Sequence, residues 1–174
     1  TRDNSVSVSA AQAITGGLSA DGGLYVPQAL PRFDMARLES LLEMDYCGRA
    51  CQILSEFLGD FTPAEIRECV DGAYGSQWDS GKITPIAKLS PDIYMLELWH
   101  GPTSAFKDIA LQVLPRLLPL AAQKTVGGRQ IDILVATSGD TGKAALEGFR
   151  DVAGTSITVF YPQEGVSQVQ KRQM

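Results

Sequence analysis

Residues 130–162, QIDILVATSGDTGKAALEGFRDVAGTSITVFYP, constrain the fold more than any other stretch. Ile131 to Ala136 form a short run, apolar but for Asp132, which reads as a strand buried on both faces. A Gly-rich turn, TSGDTG, follows it. Ala144, Ala145, Leu146, Phe149 and Val152 then recur at helical spacing. SITVFYP reads as a second buried strand, and SQVQKRQM as the start of a further helix. Strand, helix, strand, helix is the order of a parallel sheet with helical crossovers, so the fold class is α/β.

The residues before this unit have a different character. Ser9 is the expected cap of a helix closed by Gly16 and Gly17, and Asp21-Gly22-Gly23 reads as a turn. Asp34 introduces a helix in which Met35, Leu38, Leu41 and Leu42 are expected to face a core. A third helix is expected in YCGRACQILSEFLG. In FTPAEIRECV, Thr62 reads as N-cap, Pro63 as the first helical residue and Glu65 as the capping-box partner. Residues 1–80 are therefore expected to form a mostly helical domain, and 81–174 the start of an α/β domain. Near the junction, two strands should flank the Ser90-Pro91-Asp92 turn. Helix character still runs at Met174 and the first residue is Thr1, so both ends are expected to be cut.

The segment HGPTSAFKD, residues 100–108, is not ordinary packing. It places Lys107 at the start of an apolar helical stripe through Ala110, Leu111, Leu114, Leu118 and Ala121. Pro115 and Pro119 fall inside that helix, each costing about 3 kcal/mol in a straight helix, so a kink or break is expected. Two readings of Lys107 stay open: a first-turn lysine that snorkels to water, or an amine in a partly desolvated pocket. There its pKa falls and it can attack a carbonyl to form a Schiff base. TSGDTG also has two readings. Asp140 or Thr141 is explained as part of a capped helix start. Alternatively, the strand-to-helix turn aims backbone N–H groups and a positive dipole end at an anion, with hydroxyls from Thr137, Ser138 and Thr141 beside it. Gly139 and Gly142 would let a ligand approach the backbone. The spacing is not that of a P-loop.

The net charge of −5, with scattered lysines, excludes a nucleic-acid-binding surface of the basic-stripe type. No apolar run reaches membrane-spanning length, and the polar start TRDNSVSVSA shows no signal peptide. Three cysteines, Cys47, Cys51 and Cys69, with a single histidine, His100, argue against a zinc site and for thiols in a reducing cytoplasm.

DGGLYVP, LELWHGPTSAFKD, ILVATSGDTGKAA and VFYPQEGVSQVQKRQM together resemble the threonine synthases, fold-type II pyridoxal-phosphate (PLP) enzymes with a tryptophan synthase β-like fold. The resemblance implies that Lys107 holds PLP as a Schiff base and that Phe106 packs beside the cofactor. It further implies that the segment from Ser138 to Thr141 meets the substrate carboxylate and the ring face. Asp140 stands where related dehydratases carry an asparagine near the ring's 3′ oxygen, so it must share a proton or point elsewhere. Thr103, Thr137, Ser138, Gly139 and Thr141 are implied to position substrate, and Asp140 cofactor. The implied reaction is O-phospho-L-homoserine and water to L-threonine and phosphate. Threonine synthases are longer than this chain, and their cofactor-phosphate loop comes later in sequence. The resemblance therefore implies an N-terminal portion that binds PLP poorly alone and whose partner is the rest of the enzyme. Competing readings are a threonine dehydratase, an O-phosphohomoserine phospholyase, and a non-catalytic folding or association module. His100 reads either as an acid or base or as a residue that orders its turn.

Overall fold

The computed structural model describes residues 1, 6–137 and 139–174, and the chain forms two compact units. The first comprises Thr1–Asp71 with Leu117–Arg129, the second Gly72–Arg116 with Gln130–Met174.

The first unit is helical. Helix α1 (Ala10–Gly16) starts at Ser9, whose hydroxyl accepts from the Gln12 N–H while the Gln12 side chain accepts from the Ser9 N–H. Helices α2 (Met35–Leu42) and α3 (Tyr46–Ser55) are capped by Asp34 and Asp45, each accepting from the N–H three residues on. Helix α4 (Pro63–Ala73) has the full capping box at its start: Thr62 Oγ1 accepts from the Glu65 N–H at 3.2 Å, and Glu65 Oε2 accepts from the Thr62 N–H at 2.7 Å. Ile66 and Val70 of α4 and Ala121 are buried in the core. Gly22 takes the positive φ that the expected turn requires.

The apolar face assigned to α2 is a correction. Met35 is 69% exposed and Leu42 73%, and Leu38 is exposed as well. Of the four residues only Leu41 is half-buried, so periodicity located a stripe and not a core.

The second unit opens with the antiparallel hairpin β1 (Ile86–Ser90) and β2 (Ile93–Leu96), with a bulge between Lys88 and Ser90. Strands β3 (Ile131–Ala136) and β4 (Thr155–Phe160) pair in parallel, Ile131 opposite Thr155 through Ala136 opposite Phe160. Helix α7 (Asp140–Phe149) connects them and packs on the pair, burying Ala144, Ala145 and Phe149. Helix α8 (Gln168–Gln173) follows, capped by Ser167. The reading of β3 and β4 as buried on both faces is corrected: burial alternates along each strand, and Leu134 is 71% exposed. With α7 on the sheet, alternate residues turn away from cover.

The helix after residue 104 is broken once, ahead of Pro115, whereas Pro119 lies inside the second helix without interrupting it. Helix α5 (Asp108–Leu111) ends, Gln112 and Val113 form a turn, and α6 (Leu114–Thr125) begins with Pro115 as its second residue. The break resets the helical phase. Of the expected stripe, Leu118 and Ala121 are buried, while Leu111 and Leu114 are only half-buried and Val113, Pro115, Leu117 and Ala122 are buried with them. Among the described residues, no helix is long and apolar enough to cross a membrane.

Candidate active site

Lys107 is placed by a tightly tied turn rather than by a long helix. It is the N-cap residue of α5, in αR conformation, half-buried, with its Nζ 4.2 Å from the centroid of the exposed Phe106 ring. The turn before it is closed by a residue that no periodicity argument singles out. Asp108 is fully buried, and its carboxylate accepts from the Thr103 N–H at 2.8 Å and from Thr103 Oγ1 at 2.6 Å. Gly101 leaves the room this needs, since a Cβ there would lie 2.5 Å from Asp108 Oδ2. Ser104 sits at φ +57°, and its N–H donates to the Gly101 carbonyl at 3.0 Å. A buried carboxylate with two donors from one residue is a strong local clamp, because charge-assisted bonds are about twice as strong as neutral ones. The only advance sign of it was the spacing of Gly101, Thr103 and Asp108 around the lysine.

The start of the turn is held separately. His100 Nδ1 lies 2.5 Å from Asp79 Oδ1 and Nε2 lies 2.7 Å from Glu97 Oε2. The Glu97 carboxylate, followed by that of Asp79, raises the imidazole pKa above its usual 6.5. The Asp79 N–H also donates to the His100 carbonyl at 3.0 Å.

The second loop comes from β3 into α7. The Thr137 N–H donates to the Phe160 carbonyl, and Thr137 Oγ1 accepts from the Gly139 N–H at 3.2 Å. Gly139 is buried at the N-cap position of α7. Ser138 lies outside the described residues. Asp140 is exposed and faces Lys143 Nζ at 3.5 Å. Gly142 packs so closely that a Cβ would come 2.4 Å from Thr137 Cγ2.

The two loops meet. Lys107, Phe106 and Thr141 line one cavity of about 440 Å³, with Ile109, Ala110 and Leu111 completing a mainly aliphatic wall. The surface these residues present to it is wholly apolar and broadly open, which suits the face of a planar aromatic ring. Thr103 does not reach this cavity; it lines a second one of about 300 Å³ with Lys143, Glu147 and Arg150. Asp140, Thr137 and Gly139 stay in the turn. Among the described residues, no group of three His, Cys, Asp or Glu side chains could hold a metal ion. Cys47, Cys51 and Cys69 carry thiols and not disulfides, and burial is the main cause pushing the Cys47 and Cys51 pKa values up.

Residues 1–74 match the family described as Threonine synthase N terminus. The chain is 38% identical to threonine synthase from Pseudomonas aeruginosa over 175 aligned residues, covering all of this chain and 37% of that protein. It is 36% identical to the Escherichia coli threonine synthase, covering 98% of this chain and 38% of that one. The PLP-bound threonine synthase from Brucella melitensis superposes with a TM-score of 0.89 at 37% identity, over 96% of this chain and 36% of that one. The yeast threonine synthase gives a TM-score of 0.86 at 33% identity, over 94% of this chain and 35% of its own. This chain thus spans little more than a third of the length of these relatives. Over nearly its whole length, in sequence and in α/β fold, it is similar to the N-terminal portion of threonine synthases.

Proposed function

We infer that this chain carries the lysine-bearing part of the active site of a PLP-dependent threonine synthase, which converts O-phospho-L-homoserine and water into L-threonine and phosphate. The observation that carries the reading is the cavity shared by Lys107 and Thr141, formed by two loops 34 positions apart in sequence. Its apolar walls and the Phe106 ring fit the face of a pyridine ring, and Lys107, whose Nζ lies over the Phe106 ring, is the amine that would take the aldehyde. When bound, PLP supplies an electron sink at the α carbon of an amino acid. Lys107 Nζ is the covalent anchor and, once freed, the group that accepts and returns a proton at that carbon. The first turn of α7 leaves backbone N–H groups outside its helical ladder, next to Thr141, where a substrate carboxylate is stabilised. Asp140, at the start of the same turn, faces Lys143 Nζ at 3.5 Å. Thr103 acts through Asp108 rather than on substrate.

The matched N-terminal region favours the synthase over a dehydratase. The test is direct. The 174-residue chain is mixed with PLP, reduced with borohydride and digested, and each lysine is scored for the pyridoxyl mass. Lys107 should be modified well ahead of the other lysines, and Lys107→Ala should abolish the visible absorbance band of the complex. Uniform modification of surface lysines, or a band that survives the substitution, removes Lys107 from the role. In a full-length protein carrying this segment, 2-oxobutyrate in place of threonine from O-phospho-L-homoserine would replace the synthase by a dehydratase.

A further inference from the structure

The His100 ring makes two short contacts that one neutral imidazole cannot satisfy. A neutral ring has a single N–H; the other nitrogen carries a lone pair. With carboxylate oxygens at 2.5 Å and 2.7 Å, one contact would then set a lone pair against an anion. Protonating the ring turns both contacts into charge-assisted hydrogen bonds. Protonating a carboxylate instead is the harder route near neutral pH, since Asp and Glu ordinarily titrate about two units below histidine. The geometry therefore calls for an imidazolium, in a half-buried side chain whose ring also lies 5.6 Å from that of Trp99.

The consequence lies in what the ring is attached to. Asp79 comes from the segment after α4 and Glu97 lies just past β2, three residues before the ring, so His100 ties a distant segment and the exit of the hairpin to the start of the 100–108 turn. From there the chain has little freedom. The Ser104 N–H to Gly101 carbonyl bond and the Thr103 clamp on Asp108 make the turn one unit, and its last residues are Lys107 and Asp108.

We propose that His100 is a positioning residue: as an imidazolium spanning Asp79 and Glu97, it fixes the turn that sets where Lys107 presents its amine. Its functional side rests on the reading of Lys107 given above. The hold is complete below pH 6.5 and is lost as pH rises through the higher value of the folded state, where the ring drops its second proton. The charged groups that act on the ring are Glu97 first and Asp79 second.

His100 is the only histidine in the chain, so its ring resonances need no assignment by mutation. A proton–carbon NMR titration of the 174-residue chain should place its midpoint above 6.5, and Asp79→Asn and Glu97→Gln should each lower it. The amide signals of Gly101, Thr103 and Lys107 should shift with the same midpoint, and His100→Gln should abolish that shared titration. A midpoint at or below 6.5, or one that neither carboxylate substitution moves, overturns the imidazolium bridge. A Lys107 amide that ignores the ring's titration overturns the positioning role. The result stands apart from PLP capture: if Lys107 fails the borohydride test while these titrations hold, the functional reading falls and the bridge remains.

Discussion

Gly148 of α7 lies against the Leu111 carbonyl so closely that a Cβ would come 1.9 Å from its oxygen. That oxygen is the one which, in an unbroken helix, would accept from the N–H of residue 115. Residue 115 is proline and has no N–H. The helix break and the missing side chain are thus two halves of one contact between α5 and α7. Gly148→Ala improves helix propensity by about 1 kcal/mol, but the clash is with backbone, which cannot rotate aside. The steric cost, about 1–3 kcal/mol or more for overpacking, wins. A lower urea midpoint is expected; an unchanged or higher one would show that α7 can slide away from α5.

Thr103→Val keeps the shape of the side chain and removes the 2.6 Å hydrogen bond to Asp108. Bonds to charged groups contribute about 1.5–3 kcal/mol, and the buried carboxylate keeps only the Thr103 N–H of the two donors described. The expected loss of stability is of that order, with Thr103→Ser close to wild type. Urea denaturation of the three proteins measures it, and equal loss in both substitutions would mean that the hydroxyl does not matter. If Lys107 captures PLP, Thr103→Val should also slow its modification.

The Glu65 carboxyl has its pKa lowered below the usual 4.5, first by its hydrogen bond to Lys124, at 2.8 Å, and next by the Thr62 N–H. A group held below its unfolded value stabilises the fold fully above pH 4.5, and that support disappears as pH falls through the lower folded value. Thermal melts from pH 7 to pH 3 should show a declining limb that Glu65→Gln flattens. Thr62→Ala should cost about 1 kcal/mol near neutral pH, the usual value of an N-cap. An identical acid limb in Glu65→Gln would assign the acid sensitivity to other carboxylates.

The two glycines of the TSGDTG turn should respond differently to alanine. At Gly142 the new Cβ would meet Thr137 Cγ2 at 2.4 Å and Val159 Cγ1 at 3.0 Å, on stiff β-branched side chains. At Gly139 it would meet the amide end of Gln170, a flexible side chain that can move aside by giving up one capping bond from the Ser167 N–H. Gly142→Ala should therefore lower stability by about 1–3 kcal/mol, and Gly139→Ala by clearly less. Comparable losses in the two variants, read from denaturation midpoints, would contradict this packing.

Local signals were legible where one residue decides the outcome. Ser9, Asp34 and Thr62 cap helices because their side-chain oxygens reach an orphan N–H, a contact complete within four residues. The parallel order of β3 and β4 was legible from the helix between them. The convergence of Lys107 and Thr141 could be suspected only from chemistry, because the cavity depends on how α5 packs against α7. What stayed hidden depends on tertiary placement. Met35, Leu42 and Leu134 have apolar side chains at the right period and still face outward, since periodicity names a face and not its partner. Asp108 reads as an ordinary first-turn acid until the backbone folds Thr103 and Gly101 onto it. The phase slip at Gln112 and Val113 follows from Pro115, but its size does not.

Strands β3 and β4 form a ribbon of two, so among the described residues each keeps one rim of amide and carbonyl groups without a neighbouring strand. The outward-facing Leu134 and Phe160 make that ribbon sticky as well as unpaired. Such rims recruit strands from other molecules. Concentrated solutions of this chain will therefore thicken into β-rich aggregates on warming, and a charged residue at position 134 will delay their onset without disturbing the cavity at Lys107.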